Sequence, residues 1–146
     1  MGGLPTSLLF ACSQNSVRSP MAEALTRRLY GNAVFVDSVG VRAGEPDSFA
    51  GAALDELGID LRHEAKTFED VDPASFELIV TLSPEAHHRA LEFTRSNAVE
   101  VEYWPVADPS AVEGSREQRL DAYRRTRDHI LSRLKARFGI SPSVAL

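Results

Sequence analysis

One cysteine occurs in the 146 residues, and an arginine follows it after five others, in the run Cys12-Ser-Gln-Asn-Ser-Val-Arg18 that continues into Ser19 and Pro20. A five-residue spacer is long enough to wrap backbone N–H groups around a tetrahedral anion. A helix directly behind adds N–H donors that have no intrahelical partner, and the positive end of its dipole. That field favours the thiolate of Cys12, which is the nucleophilic form. Arg18 closes the loop, and its planar fork can bind two phosphate oxygens at once, which a lysine cannot do. Ser19 stands where its hydroxyl can donate to the sulfur and improve it as a leaving group. Asn15, in mid-loop, has a short amide that tolerates a left-handed backbone and bonds its neighbours. The chemistry this describes is nucleophilic attack on phosphorus, with Cys12 as nucleophile. Ser13, Gln14, Asn15, Ser16, Val17, Arg18 and Ser19 form the phosphate-binding loop. A Cys-x5-Arg spacing alone is a weak pattern, and a lone cysteine is often a small buried hydrophobe. The succession strand, Cys, Asn, Arg, Ser-Pro, helix is much stronger.

Such a reaction needs an acid, because a phenolate leaves poorly unless it is protonated. Asp108, in "YWPVADPS", is the candidate. It follows a strand and falls on the same edge of the expected sheet as Cys12. An Asp-Pro step is also ordinary turn chemistry, and the residues alone leave both readings open.

These side chains must be held by something. Ser7 to Ala11 is a short apolar run of the kind buried on both faces of a sheet. After Arg18 the period changes: Met21, Leu25 and Leu29 mark an amphipathic helix, with Glu23, Arg27 and Arg28 on its other faces. Ser19 reads as its N-cap and Pro20 as a first-turn residue, and Gly31-Asn32 ends it. "AVFVDS" is a second strand. Ala50, Leu54 and Leu57 predict a helix stopped by Gly58. "FELIVTL" is a third strand, and "SPEAHHRALEF" a helix with another Ser-Pro entry. "AVEVEYW" alternates like an edge strand. From Ser115 onward, Leu120, Tyr123, Ile130, Leu134 and Phe138 mark a long helix. The β-α-β-α-β-α-β-α order implies an α/β fold, a single-domain doubly wound parallel sheet of four strands with helices on both faces. Ligands of such sheets bind at the carboxyl ends of the strands, where Cys12 falls.

The bulk composition is that of one ordinary domain, with 43% hydrophobic and 25% charged residues and a net charge of -5. That charge offers no attraction to nucleic acid or to an anionic membrane. A single cysteine cannot close an internal disulfide. With no apolar run of membrane-spanning length and no signal-peptide layout, the expectation is a cytoplasmic enzyme without membrane or nucleic-acid partners, metal or cofactor.

"CSQNSVRSPMAEAL" and the "DPS" at Asp108 to Ser110 resemble the low-molecular-weight protein tyrosine phosphatases and the arsenate reductases that share their fold, and the strand order extends the likeness over nearly the whole chain. The resemblance implies the sheet order 2-1-3-4. It implies that Cys12 forms a phosphocysteine, that Arg18 holds the phosphoryl oxygens, and that Asp108 protonates the leaving group and then activates water. The partner expected is a phosphotyrosine protein or small aryl phosphate, with phosphate and arsenate as the oxyanions that fit.

"FELIVTLS" and "EYWPVADPS" are closer to the arsenate reductase branch. Its thioredoxin-coupled members use two further cysteines, where this chain has Ser83 and Ala90. A serine cannot attack a cysteine–arsenic adduct to form a disulfide, so that relay is excluded. A single-cysteine arsenate reduction with an external thiol remains the alternative, whereas "RSPM" is more phosphatase-like. Typical phosphatases of this type carry "DPYY"; Ser110 and Ala111 stand there instead, so the aromatic wall is missing. Trp104, Tyr103 and Phe49 are replacements in type but read better as packing residues. Val17 stands where many members have a second loop cysteine. His87-His88, adjacent on a helix, point apart and make no metal pair, and neither His63 nor His129 has a visible partner. Arg42 either touches substrate at the cleft mouth or makes a surface salt bridge. The substrate stays open among phosphotyrosine, phosphoarginine and small metabolites.

Overall fold

Alternation along the first strand decides how this chain folds. In the structure, a computed structural model describing residues 3–139, β1 (Ser7–Cys12) sends Leu8, Phe10 and Cys12 to one face and Leu9 and Ala11 to the other. All five are buried, so this strand must lie inside a sheet covered on both sides. It pairs in parallel with β2 (Phe35–Gly40) on one side and β3 (Leu78–Thr81) on the other, and β4 (Glu100–Tyr103) extends the sheet beyond β3. The order is 2-1-3-4, all parallel, as the resemblance implies. "AVEVEYW" is accordingly an edge.

On one face, Leu8 and Phe10 meet Met21, Leu25 and Leu29 of α1 (Arg18–Tyr30) and Ile130 and Leu134 of α4 (Arg116–Phe138). Ala53 and Leu54 of α2 (Ser48–Asp55) join them. On the other, Leu9, Ala11 and Ile79 pack on Ala86 and Ala90 of α3 (Pro84–Leu91) and on Phe68 and Phe76. Trp104 is a core residue, edge-on to Phe10 with ring centres 6.2 Å apart.

Helix entries follow their caps. Asp47, Ser83 and Ser115 cap α2, α3 and α4 through their side chains, the last in a capping box with Gln118. The first helix differs from expectation. It begins at Arg18, its N-cap is Val17, and no side chain caps it. Ser19 is inside the helix because its hydroxyl is used elsewhere, as described below. Pro20 is tolerated at the third position because an N–H there would have no intrahelical acceptor.

Two charged residues on helices, Glu23 of α1 and Arg127 of α4, are buried. Glu23 accepts a hydrogen bond from Ser38 at 2.6 Å and pairs with Arg27. Arg127 donates to the Ala53 carbonyl and to Glu56, each at 2.7 Å. In both cases the polar head is matched inside the fold, which a helical-wheel reading cannot see.

No helix among the described residues is long and apolar enough to cross a membrane.

Candidate active site

The carboxyl ends of β1, β3 and β4 meet at one rim of the sheet, and the chain leaving β1 curls there before entering α1. Cys12 lies at the floor of that curl, only 2% exposed. Its sulfur is 3.0 Å from Ser19 Oγ and receives the Asn15 backbone N–H at 3.3 Å. The Ser19 hydroxyl accepts from Asn15 Nδ2 at 2.8 Å, which leaves its hydrogen for the sulfur or for the Val39 carbonyl, 3.3 Å away. With the sulfur ionised, the charge makes it the stronger acceptor.

Asn15 holds this arrangement together. Among the described residues it is the only non-glycine with positive φ, at 53°. Its amide donates to Ser38 Oγ at 3.0 Å as well as to Ser19. Its carbonyl oxygen accepts from the Lys66 backbone N–H at 2.9 Å and from His63 Nε2 at 2.8 Å. Ser38 in turn donates to Glu23. The cost of a left-handed backbone, about 1 kcal/mol or more, is thereby offset by four hydrogen bonds that fix the amide in one orientation.

His63 therefore does have a partner, contrary to the expectation from sequence. Burial holds its imidazole below the ordinary value, while the Glu23 carboxylate, 4.0 Å from Nδ1, opposes that shift and Lys66 adds to it. Desolvation is the larger effect, and Glu23 also engages Ser38 and Arg27.

The sulfur looks into a cleft of about 270 Å³. Gln14, Ser16, Val17 and Arg18 line it from the loop, whereas Ser13, Asn15 and Ser19 do not. Ser13 instead donates to Ser83 at 3.0 Å. Behind the cleft the first turn of α1, with no side-chain cap, keeps its N–H groups for an anion. Arg18 is anchored by Nη1, which donates to the Val106 carbonyl at 2.9 Å, and its Nη2 is 3.9 Å from Asp108 Oδ2. Asp108 lines the cleft; its Oδ1 accepts both the Ser110 N–H and hydroxyl, at 2.9 and 2.7 Å, leaving Oδ2 toward the arginine. The sequence motifs thus meet at one place: a thiol, a guanidinium and a carboxyl group around a space large enough for a small oxyanion.

The chain matches the low molecular weight phosphotyrosine protein phosphatase family over residues 7–139. It belongs to that family. Among curated relatives of this phosphatase-family chain is an arsenate reductase of Bacillus subtilis, 33% identical over 129 residues covering 88% of this chain and 91% of that protein. An arsenate reductase structure from Archaeoglobus fulgidus superposes with a TM-score of 0.70 at 27% identity, covering 88% of this chain and 96% of that one. The YwlE arginine phosphatase of Geobacillus stearothermophilus gives 0.71 at 25% identity, covering 90% and 92%.

The remaining candidates separate cleanly. Arg42 makes a 2.6 Å salt bridge to Glu85 and does not line the cleft. His87 accepts or donates at Thr81 Oγ1, 2.9 Å away, and stacks on Tyr103. Phe49 packs on Tyr123. Among the described residues no aromatic side chain lines the cleft. What the sequence reading missed is the cleft's far wall, Glu45, Pro46 and Asp47. "GEPDS" belongs to a Gly/Pro/Asp-rich loop, and Asp47 is the cap of α2. The signal was there only in the loop's position after a strand end.

Proposed function

We propose that this chain hydrolyses phosphomonoesters through a phosphocysteine, without metal. The observation that supports it best is the Cys12 sulfur under an uncapped helix, bonded to Ser19 Oγ, with Arg18 and Asp108 facing one another above it. Cys12 attacks phosphorus in line while Arg18 and the loop N–H groups hold the equatorial oxygens. Ser19 steadies the sulfur as charge leaves and returns to it. Asp108, protonated on Oδ2, gives its proton to the departing oxygen and then takes one from the water that cleaves the S–P bond.

The test is hydrolysis of p-nitrophenyl phosphate without added metal by the native protein and by Cys12→Ser and Asp108→Asn. Turnover should vanish in Cys12→Ser. Asp108→Asn should slow esters of poorly acidic alcohols and phenols far more than p-nitrophenyl phosphate. Equal slowing across leaving groups would remove the acid role, and turnover surviving in Cys12→Ser would remove the mechanism.

A second reading has its own support, the arsenate reductase relatives. In it Cys12 attacks arsenate with loss of water, and an external thiol then attacks the sulfur of that adduct. Arsenite leaves with the electron pair, and Cys12 is left in a mixed disulfide with that thiol. Ser83, in contact with loop residue Ser13, and the buried Ala90 offer no second sulfur for an internal relay. Arsenite formation that depends on added small thiol would favour this reading.

A further inference from the structure

The cleft carries an excess of negative charge that a phosphate site does not need. Among the described residues Arg18 is the one cation lining it, against three acidic side chains, Glu45, Asp47 and Asp108. Several surface carboxylates elsewhere face arginines: Glu85 meets Arg42, Glu56 meets Arg124 and Arg127, and Glu102 meets Arg137. At the cleft Asp108 faces Arg18 at 3.9 Å, whereas Glu45 and Asp47 face no cation among the described residues. Asp47 is held by neutral donors, the Phe49 and Ala50 N–H groups and the Tyr123 hydroxyl at 2.6 Å. Glu45 is exposed and, among the described residues, no hydrogen bond or ion pair engages it. The nearby arginines Arg116 and Arg119 lie over the Phe49 ring and not against either carboxylate.

Glu45 is also placed with care. The segment that carries it is built onto the phosphate loop: Val41, Arg42 and Gly44 donate their N–H groups to the carbonyls of Cys12, Ser13 and Gln14 at 3.1, 2.9 and 2.8 Å. A Cβ on Gly44 would come within 2.6 Å of Ser16 Oγ and 2.7 Å of Gln14 Oε1, so this segment and the side chains of the phosphate loop lie in close contact. Glu45 follows directly, and its carboxylate stands at the mouth through which a substrate must enter.

Each such carboxylate disfavours a bare phosphate dianion by roughly sixfold in water at about 8 Å, and favours a single positive charge at that distance by roughly twofold. With no aromatic wall to grip a ring, recognition beyond the phosphoryl group is left to charge. We propose that Glu45, with Asp47 behind it, selects phosphoryl groups whose carrier bears a positive charge beside them. A phosphorylated guanidinium side chain and a phosphotyrosine flanked by lysine or arginine share that chemistry. This rests on the phosphatase reading above.

The experiment compares kcat/KM for two phosphotyrosine peptides of equal length, one flanked by lysines and one by glutamates, with phosphoarginine as a third substrate and p-nitrophenyl phosphate as the reference for chemistry. The lysine peptide should be preferred by roughly fivefold or more at low salt, and the preference should shrink as salt screens it. Glu45→Gln should reduce the ratio and Glu45→Lys reverse it. Glu100→Lys, at the opposite end of the sheet, should leave it unchanged, which separates the rim from the net charge. Phosphoarginine turnover above that of the lysine peptide would assign the charge to the phosphorylated group itself. Equal kcat/KM for both peptides, or a preference that survives Glu45→Lys, would overturn the proposal while p-nitrophenyl phosphate turnover left the phosphatase reading standing. No turnover of any substrate would defeat that reading instead.

Discussion

Ser19 does two jobs that a capping serine could not do together. Its oxygen accepts from the fixed Asn15 amide, which leaves its proton to turn to the sulfur when the sulfur is ionised. Ser19→Ala should therefore lower turnover by roughly ten- to a hundredfold, the worth of one hydrogen bond to a charged group. The loss should be similar for good and poor leaving groups, because the hydroxyl acts on the sulfur and not on the departing oxygen. A leaving-group series on Ser19→Ala and Asp108→Asn checks this, since the two should give different slopes; parallel slopes would deny the division of labour. At this scale much was legible. Cys12, Arg18, Ser19 and Asp108 are chemically distinctive types at fixed short spacings, and Asn15 advertises its left-handed backbone. Glu23, Ser38 and His63 were not legible, because Ser38 and His63 reach Asn15 across 23 and 48 residues, Glu23 joins only through Ser38, and nothing local marks these contacts.

Elements set how accurately those groups are held, and the tightest joint is where β2 ends beside the loop. Gly40 pairs with Cys12, and a side chain there would meet the Arg42 carbonyl oxygen at 2.4 Å and the Asn15 nitrogen at 2.7 Å. Both are backbone atoms, so relief requires moving the loop itself. Gly40→Ala should destabilise the fold by about 1–3 kcal/mol, as overpacking does, and lower kcat/KM by roughly tenfold or more through misplacement of the sulfur and its donors. Chemical denaturation and steady-state kinetics on one preparation measure both; an active, stable Gly40→Ala would show that the loop can yield. The elements were readable from period: two faces of apolar residues on β1, the Met21-Leu25-Leu29 stripe, the Ser-Pro entry of α3. The segment between α2 and β3 was not. Its order comes from long-range bonds, such as the Gly40 N–H to the Lys66 carbonyl at 2.8 Å, and leaves no periodicity in sequence.

Across the whole molecule that unreadable segment makes the fold sensitive to mild acid. His63 is carried on it, packed behind the loop with Glu23, Asp37 and Lys66 as its charged neighbours, and burial holds its imidazole below the ordinary value. In the unfolded chain it titrates normally, near about 6.5. Below that pH the unfolded state binds a proton that the folded state resists, so stability is full above about pH 6.5 and falls as pH drops toward the folded-state value. The surface carboxylates held below their ordinary values, among them Glu56, Glu77 and Glu85, act in the same direction but only where carboxylates protonate, below about pH 4.5. The two windows are separate. Denaturation midpoints should thus decline already between about pH 7 and 5.5, and His63→Gln, whose amide can still donate to Asn15, should flatten that decline while leaving the lower one. A native midpoint that stays level until carboxylates titrate would mean that Glu23 compensates the buried imidazole after all, and that protonating His63 does not loosen Asn15 from beneath the sulfur.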